Sequence, residues 1–142
     1  MGLLVKEPDV AGQISYGFFL QNAAGTLKLL FEVSDDGTAV TDSVVSWTPS
    51  TATWYHVAVA YDTGGNVLFY VNGAQQGATQ TGAKTSIFDG NSRLGLGVSG
   101  ATGTPNSFLD GNLDDARVYN TNRTAGAILG DYAQKIIDKK KK

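Results

Sequence analysis

The acidic side chains decide first what chemistry this chain could perform. Hydrolysis of a glycosidic bond needs two carboxyl groups about 5 to 9 Å apart, one to deliver a proton and one to act as nucleophile or base. The only glutamates are Glu7 and Glu32, in unrelated segments, and no Glu-x-Asp-x-x-Glu cluster lies on one strand. Asp114 and Asp115 are adjacent, so on a strand they point to opposite faces and cannot flank one bond. Asp110 and Asp114 could share a face, but Gly111-Asn112 breaks the run between them. His56 is the single histidine. A triad would need a serine and an acid around it, and a lone histidine between Tyr55 and Val57 reads as a hydrogen-bonded core residue. Cysteine is absent, which removes a thiolate nucleophile, Cys-based zinc patterns and disulfides. These residues predict a chain that is not an enzyme.

Binding chemistry has better material. A shallow glycan site needs aromatic faces for stacking beside amides and carboxylates for hydrogen bonds. Tyr16, Trp47, Asp89 and Asn91 are of those types and fall in loops or at strand edges, so they form the candidate ligand site. Trp47 is equally suited to closing the core beside Pro49. Net charge is −2, but five of the eleven basic residues, Lys135 and Lys139 to Lys142, fall in the last eight positions with only Asp138 opposing them. Without that stretch, 6 basic residues face 12 acidic ones, a body of −6. A nucleic-acid face would need clustered Lys and Arg, so none is expected. The lysine run reads as a solvated tail, 135–142, following a single domain over 1–134.

The elements that must position these residues are short strands. The 142 residues are enough for one domain with a real core, and 18 glycines with 6 tyrosines and 6 phenylalanines suit strands separated by tight turns. Tyr16 to Gln21 and Thr26 to Val33 pair across Asn22-Ala-Ala-Gly25. In the second strand Leu27, Leu29 and Phe31 share one face, with Lys28, Leu30 and Glu32 on the other and the polar members outward. Asp35-Asp36-Gly37 turns the chain into Ala39 to Val45. After a loop around Pro49, Trp54 to Tyr61 is apolar on both faces and predicts a central strand, followed by Val67 to Val71 and, past Asn72-Gly73, by Ala74 to Thr79. Gln80 to Ser92 is a long connection pinned by Ile87 and Phe88. Arg93 to Val98 and Phe108 to Tyr119 are the remaining strands. Thr124 caps a helix with Ile128, Tyr132 and Ile136 on one side. No apolar run approaches the roughly 20 residues of a membrane helix, so no membrane insertion is expected.

Two segments carry a family resemblance. Trp54 to Gly73, WYHVAVAYDTGGNVLFYVNG, and Phe108 to Asn120, FLDGNLDDARVYN, resemble the laminin-G-like members of the concanavalin A-like lectin/glucanase superfamily, over roughly residues 14 to 132. The resemblance implies an all-β antiparallel jelly-roll sandwich with a short C-terminal helix. It also implies a non-catalytic module that recognises a glycan or a protein surface, within a larger extracellular or virion protein. A structural or assembly domain of a phage particle is the alternative, and a glucanase-like hydrolase the third. Calcium is the metal such relatives hold, with Asp62, Asp89, Asn91 and Asp110 as candidates. The chain shows no Asp-x-Asp-x-Asp-Gly loop, so no ligand set follows and no cofactor is assigned. Such domains carry a strand or two before the segment matching Tyr16 to Gln21. Here either Leu3 to Val5 supplies the first strand or the sheet is incomplete, with an unpaired edge that invites self-association.

Overall fold

A computed structural model describes residues 1–8, 12–100, 105 and 107–139. Its first sheet contains β1 (Gly2–Lys6), β2 (Tyr16–Ala23), β3 (Thr26–Ser34), β4 (Val40–Ser46) and β8 (Gly95–Leu96), in the order β4-β3-β2-β1-β8. The second contains β5 (Val57–Tyr61), β6 (Val67–Val71) and β7 (Ala74–Gln80), in the order β5-β6-β7. Every pair is antiparallel. A helix, α1 (Ala125–Lys139), follows the strands.

Side-chain alternation builds the interior. Phe18 from β2, Leu29, Phe31 and Val33 from β3, and Val45 from β4 meet Val67 and Phe69 from β6 in one buried cluster. Phe18 and Phe69 approach to 6.3 Å between ring centres, and Phe31 and Tyr61 to 5.7 Å. The opposite face of the small sheet is covered by α1, whose Ile128 packs with Ala60 and Tyr70. The helix starts as expected: Thr124 Oγ1 accepts from the Ala127 N–H at 3.2 Å, satisfying a donor that has no partner within the helix. Ile128 is buried and Tyr132 half-buried, whereas Ile136 is exposed.

Several expectations change. Trp54 to Tyr61 is not a central strand: β5 begins at Val57 and lies at the edge of its sheet. Trp54 is 55% exposed, because the polar loop before it extends to its position. Phe108 to Tyr119 is irregular rather than a strand. Asp115 has φ of 54°, which interrupts an extended run, and the neighbouring charges pair with α1 instead of entering a ladder. Arg93 to Val98 contracts to Gly95–Leu96. Phe88 is held by its N–H to the Ser34 carbonyl at 2.8 Å, but Ile87 is exposed. The N-terminus resolves the other way from an incomplete edge, since β1 sits between β2 and β8 with Leu4 and Val5 paired on both sides. The boundary at 134/135 falls within α1. Lys135 is helical and ion-paired with Asp115 at 2.8 Å, so the basic run begins inside a folded element; residues 140–142 lie outside the described ones.

Candidate functional site

The two sheets are unequal, and the site follows from that. β7 lies against β4: Gln76 Nε2 donates to the Ser46 carbonyl at 3.0 Å, and Gly77 leaves no room for a Cβ, which would stand 2.6 Å from Val45. Strands in a sheet are spaced about 4.8 Å apart. Three strands anchored over β4 therefore leave the β1 side of the larger sheet without cover from the smaller one. The uncovered strip is a groove of about 1640 Å³, lined by Leu3, Tyr16 and Phe18 from the large sheet, by β5, and by 109–123. Aromatic groups frame its far end. Trp47 packs on the core and meets Tyr55 edge to face at 5.0 Å, while Trp54 stands exposed beside them.

At the start of β5 the lining becomes polar. His56 donates its N–H to Asn72 Oδ1 at 3.0 Å, and its ring lies 6.0 Å from Tyr132. Its Nδ1 is buried without a hydrogen-bond partner, and burial holds the imidazole below its ordinary pKa. Asp131 on α1 gathers Arg123 at 3.0 Å, Arg117 at 3.4 Å and the Tyr119 hydroxyl at 3.3 Å. Arg123 also stacks over Tyr119, 4.4 Å from the ring centre. Asp115 is paired with Arg117 and Lys135, both at 2.8 Å, and hydrogen bonds from Lys135 and Arg117 hold its carboxyl below the usual range.

The four predicted site residues divide. Tyr16 and Trp47 both line the groove, and burial pushes the Tyr16 phenol up. Asp89 and Asn91 lie elsewhere, on a loop fastened to β1 and the 12–15 turn. Lys6 donates to the Gly90 carbonyl and lies 3.7 Å from Asp89, whose side chain is otherwise open to solvent, and Asn91 N–H donates to Gln13 Oε1 at 2.8 Å. The calcium candidates are scattered likewise. Asp62 is committed to its own turn, accepting from Gly64 N–H at 2.8 Å and from the Asn66 amide. No group of three metal-ligating acids or histidines occurs among the described residues. Trp54, expected in the core, is the groove aromatic that the sequence reading missed; the hydroxyl-rich run 50–53 before it was the available signal.

A second polar feature was also missed. Glu7 and Glu32, distant in sequence, meet on the outer face of the large sheet, where Ser99 Oγ donates to Glu7 Oε1 at 2.6 Å. Glu32 faces Asp42 across the β3–β4 ladder. Burial, a hydrogen bond with Glu7 and the charges of Glu7 and Asp42 push Glu32 up to about 9. Glu32 is therefore half-buried and protonated at neutral pH rather than pointing freely outward, and its neighbour Leu30 is buried too. Two directly hydrogen-bonded carboxyls are closer than the roughly 5 Å minimum for a glycosidase pair, and neither glutamate lines the groove.

Two antiparallel sheets packed face to face, with one C-terminal helix, define a jelly-roll sandwich of the concanavalin A-like type. The chain belongs to the laminin-G-like family: the family model described as "Concanavalin A-like lectin/glucanases superfamily" matches residues 2–129. Among solved structures it is similar to an S-layer domain-containing protein (residues 221–444) from Clostridium thermocellum ATCC 27405, at 22% identity and a TM-score of 0.50. That match covers 87% of this chain and 64% of the other, and it speaks to the fold alone. No curated protein matches the chain.

Proposed function

We propose that this chain is a non-catalytic binding or adhesion module that takes a glycan or a protein surface in the groove, as part of a larger protein displayed outside the cell or on a virion. One observation carries the reading. The groove joins exposed and half-buried aromatics to carboxylates already neutralised by Arg117, Arg123 and Lys135. Cation-paired carboxylates suit hydrogen bonding to the hydroxyls of a ligand. Family membership supports a binding module, although the superfamily also contains glucanases. A glycan array read with the full chain and a Trp54→Ala variant tests it. Specific binding that weakens in the variant is expected, with no new reducing ends from β-glucans, xylans or sulfated galactans. Turnover of any of these, abolished by Asp114→Asn or Asp110→Asn, would overturn it.

An assembly domain is the second reading, favoured by the open edge of β5, a strand without charge or proline (Val57–Tyr61) of the kind that pairs between chains. Light scattering across concentration separates the two, since assembly requires a mass that grows with concentration.

A further inference from the structure

Few contacts hold α1 on the small sheet, and a histidine lies at their edge. Among the described residues of α1 only Ile128 is buried, where it meets Ala60 and Tyr70, while Leu129, Ile136 and Ile137 stand exposed. Gly126 and Gly130 weaken the helix from within, so it depends on its seat. That seat fits closely at one point: a Cβ on Gly73 would stand 2.8 Å from Leu129 Cδ1 and 3.2 Å from the Tyr132 ring. Asn72 of the same turn exchanges two hydrogen bonds with His56, accepting the His56 N–H on Oδ1 at 3.0 Å and donating its own N–H to the His56 carbonyl at 2.8 Å. His56 therefore sits where turn and helix meet, with its ring 6.0 Å from that of Tyr132.

The His56 ring has no provision for a second proton. In the imidazolium both nitrogens donate, but Nδ1 is buried with no hydrogen-bond partner. A charged donor enclosed in this way carries its full desolvation cost. The groups that face it are Asp131, Tyr132 and Lys135 on α1, and Asp115 and Arg117 from the segment before the helix. Two carboxylates against two cations leave little net field, and the Asp131 carboxylate is already engaged by Arg117, Arg123 and the Tyr119 hydroxyl. Desolvation therefore decides, and it favours the neutral ring.

We propose that α1 is an acid-released latch: protonation of His56 lifts the helix off β5 and β6, and neutral pH seats it again. Lifting gives Nδ1 access to water and uncovers the apolar face formed by Ala58, Ala60, Leu68 and Tyr70. It breaks no ladder, because α1 enters neither sheet. The ordinary histidine pKa is 6.5 and the seated ring lies below it, so seating is fully favoured above that pH and weakens as pH falls through it. From pH 7.5 to 5.0 the ratio of lifted to seated helix rises by up to about thirtyfold, the limit set by the unseated ring. Lifting also withdraws Asp131 from Arg117 and Arg123 and Lys135 from Asp115. The polar end of the groove then loses its fixed geometry, and a ligand held there is released in acid. This consequence rests on the groove reading above; the latch itself does not.

Residue-resolved amide exchange on the full chain, without ligand and with intrinsic rates divided out, tests the latch. The amides of 129–135 are expected to be at least about tenfold less protected than those of Leu29 and Phe31 in β3, which marks the helix as opening separately from the whole fold. Their protection should fall at least about threefold from pH 7.5 to 5.0. His56→Phe, which keeps an aromatic ring beside Tyr132 and cannot titrate, should hold it level across the same interval. Unchanged α1 protection in the wild type would overturn the proposal. So would a helix as protected as β3, or a loss that persists in His56→Phe. If the variant does not fold, the wild-type proton titration decides: α1 amide shifts that follow the His56 Hε1 signal with one midpoint below 6.5 support the latch, and separate midpoints, or one at or above that value, refute it. A blank glycan array would leave this result standing, so the two readings fail separately.

Discussion

Removing the Glu32 carboxyl should stabilise the protein in alkaline solution. Glu32 sits between Glu7 and Asp42 on a half-buried face, and its pKa is raised from 4.5 to about 9. An acid with a raised folded-state pKa binds its proton more tightly in the folded chain than in the unfolded one. Its contribution is complete below 4.5 and is lost as pH rises towards 9. His56 acts in the opposite sense: burial lowers its pKa, so its effect increases stability as pH rises and is complete above about 6.5. His56 therefore adds no slope between pH 7 and 9, the interval in which Glu32 loses its proton. Two pH units at about 1.4 kcal/mol each set a ceiling near 2.7 kcal/mol. Partial solvent access and sharing of the proton with Glu7 reduce this to about 1–2 kcal/mol, or roughly 3–8 °C in a domain of this size. Glu32→Gln keeps the shape and a hydrogen-bond donor towards Glu7 and cannot ionise. Calorimetry should show the wild-type melting temperature falling from pH 7 to 9 while the variant's stays nearly level, and the two should coincide near pH 5. Parallel curves across pH 7 to 9, or a wild type that gains stability there, would refute the account of this cluster.

Three further outcomes are expected. Phe69→Ala should lower stability by about 3–5 kcal/mol in denaturant titration, because Phe69 is fully buried against Phe18 and the cavity cannot collapse between two sheets. Gly65→Ala should cost more than about 1 kcal/mol in the same assay, since Gly65 has φ of 74° and a Cβ would stand 2.5 Å from the Ala83 carbonyl oxygen. Asp131→Asn should raise amide exchange across 117–123 and leave β2 to β4 unchanged, because Asp131 binds Arg117, Arg123 and Tyr119 at once and none of these touches the large sheet's ladder.

What the sequence made legible was what local rules determine. β2, β3 and β4 follow from alternation and from turns such as Asn22-Ala-Ala-Gly25, where Asn22 Oδ1 accepts from Gly25 N–H at 3.0 Å. The Asn72-Gly73 turn is equally local: both residues have positive φ and join β6 to β7. The α1 cap likewise depends only on Thr124 and the residues after it. The site was half legible. Tyr16 and Trp47 reach the groove because one lies on an inward strand position and the other closes the end of the core, whereas Asp89 and Asn91 had the right chemical types and no local signal of which rim they occupy. The meeting of Glu7 with Glu32 had no sequence signature at all, being made by the pairing of β1, β2 and β3.

The largest difference concerns residues far apart in the chain. An apolar run such as Val57–Tyr61 shows that both faces of a strand will be covered, and they are, by the core on one side and by α1 on the other. Such a run carries no information about its edges. Face burial is written in side chains, whereas edge pairing is made by backbone groups that every residue shares. A strand buried on both faces reads as central even when one edge is free. The same logic explains why 108–120 read as a strand: its alternation specifies which side chains would face inward, not whether a partner edge is engaged. The groove is thus bounded by a strand whose faces were legible in its side chains and whose edge was not.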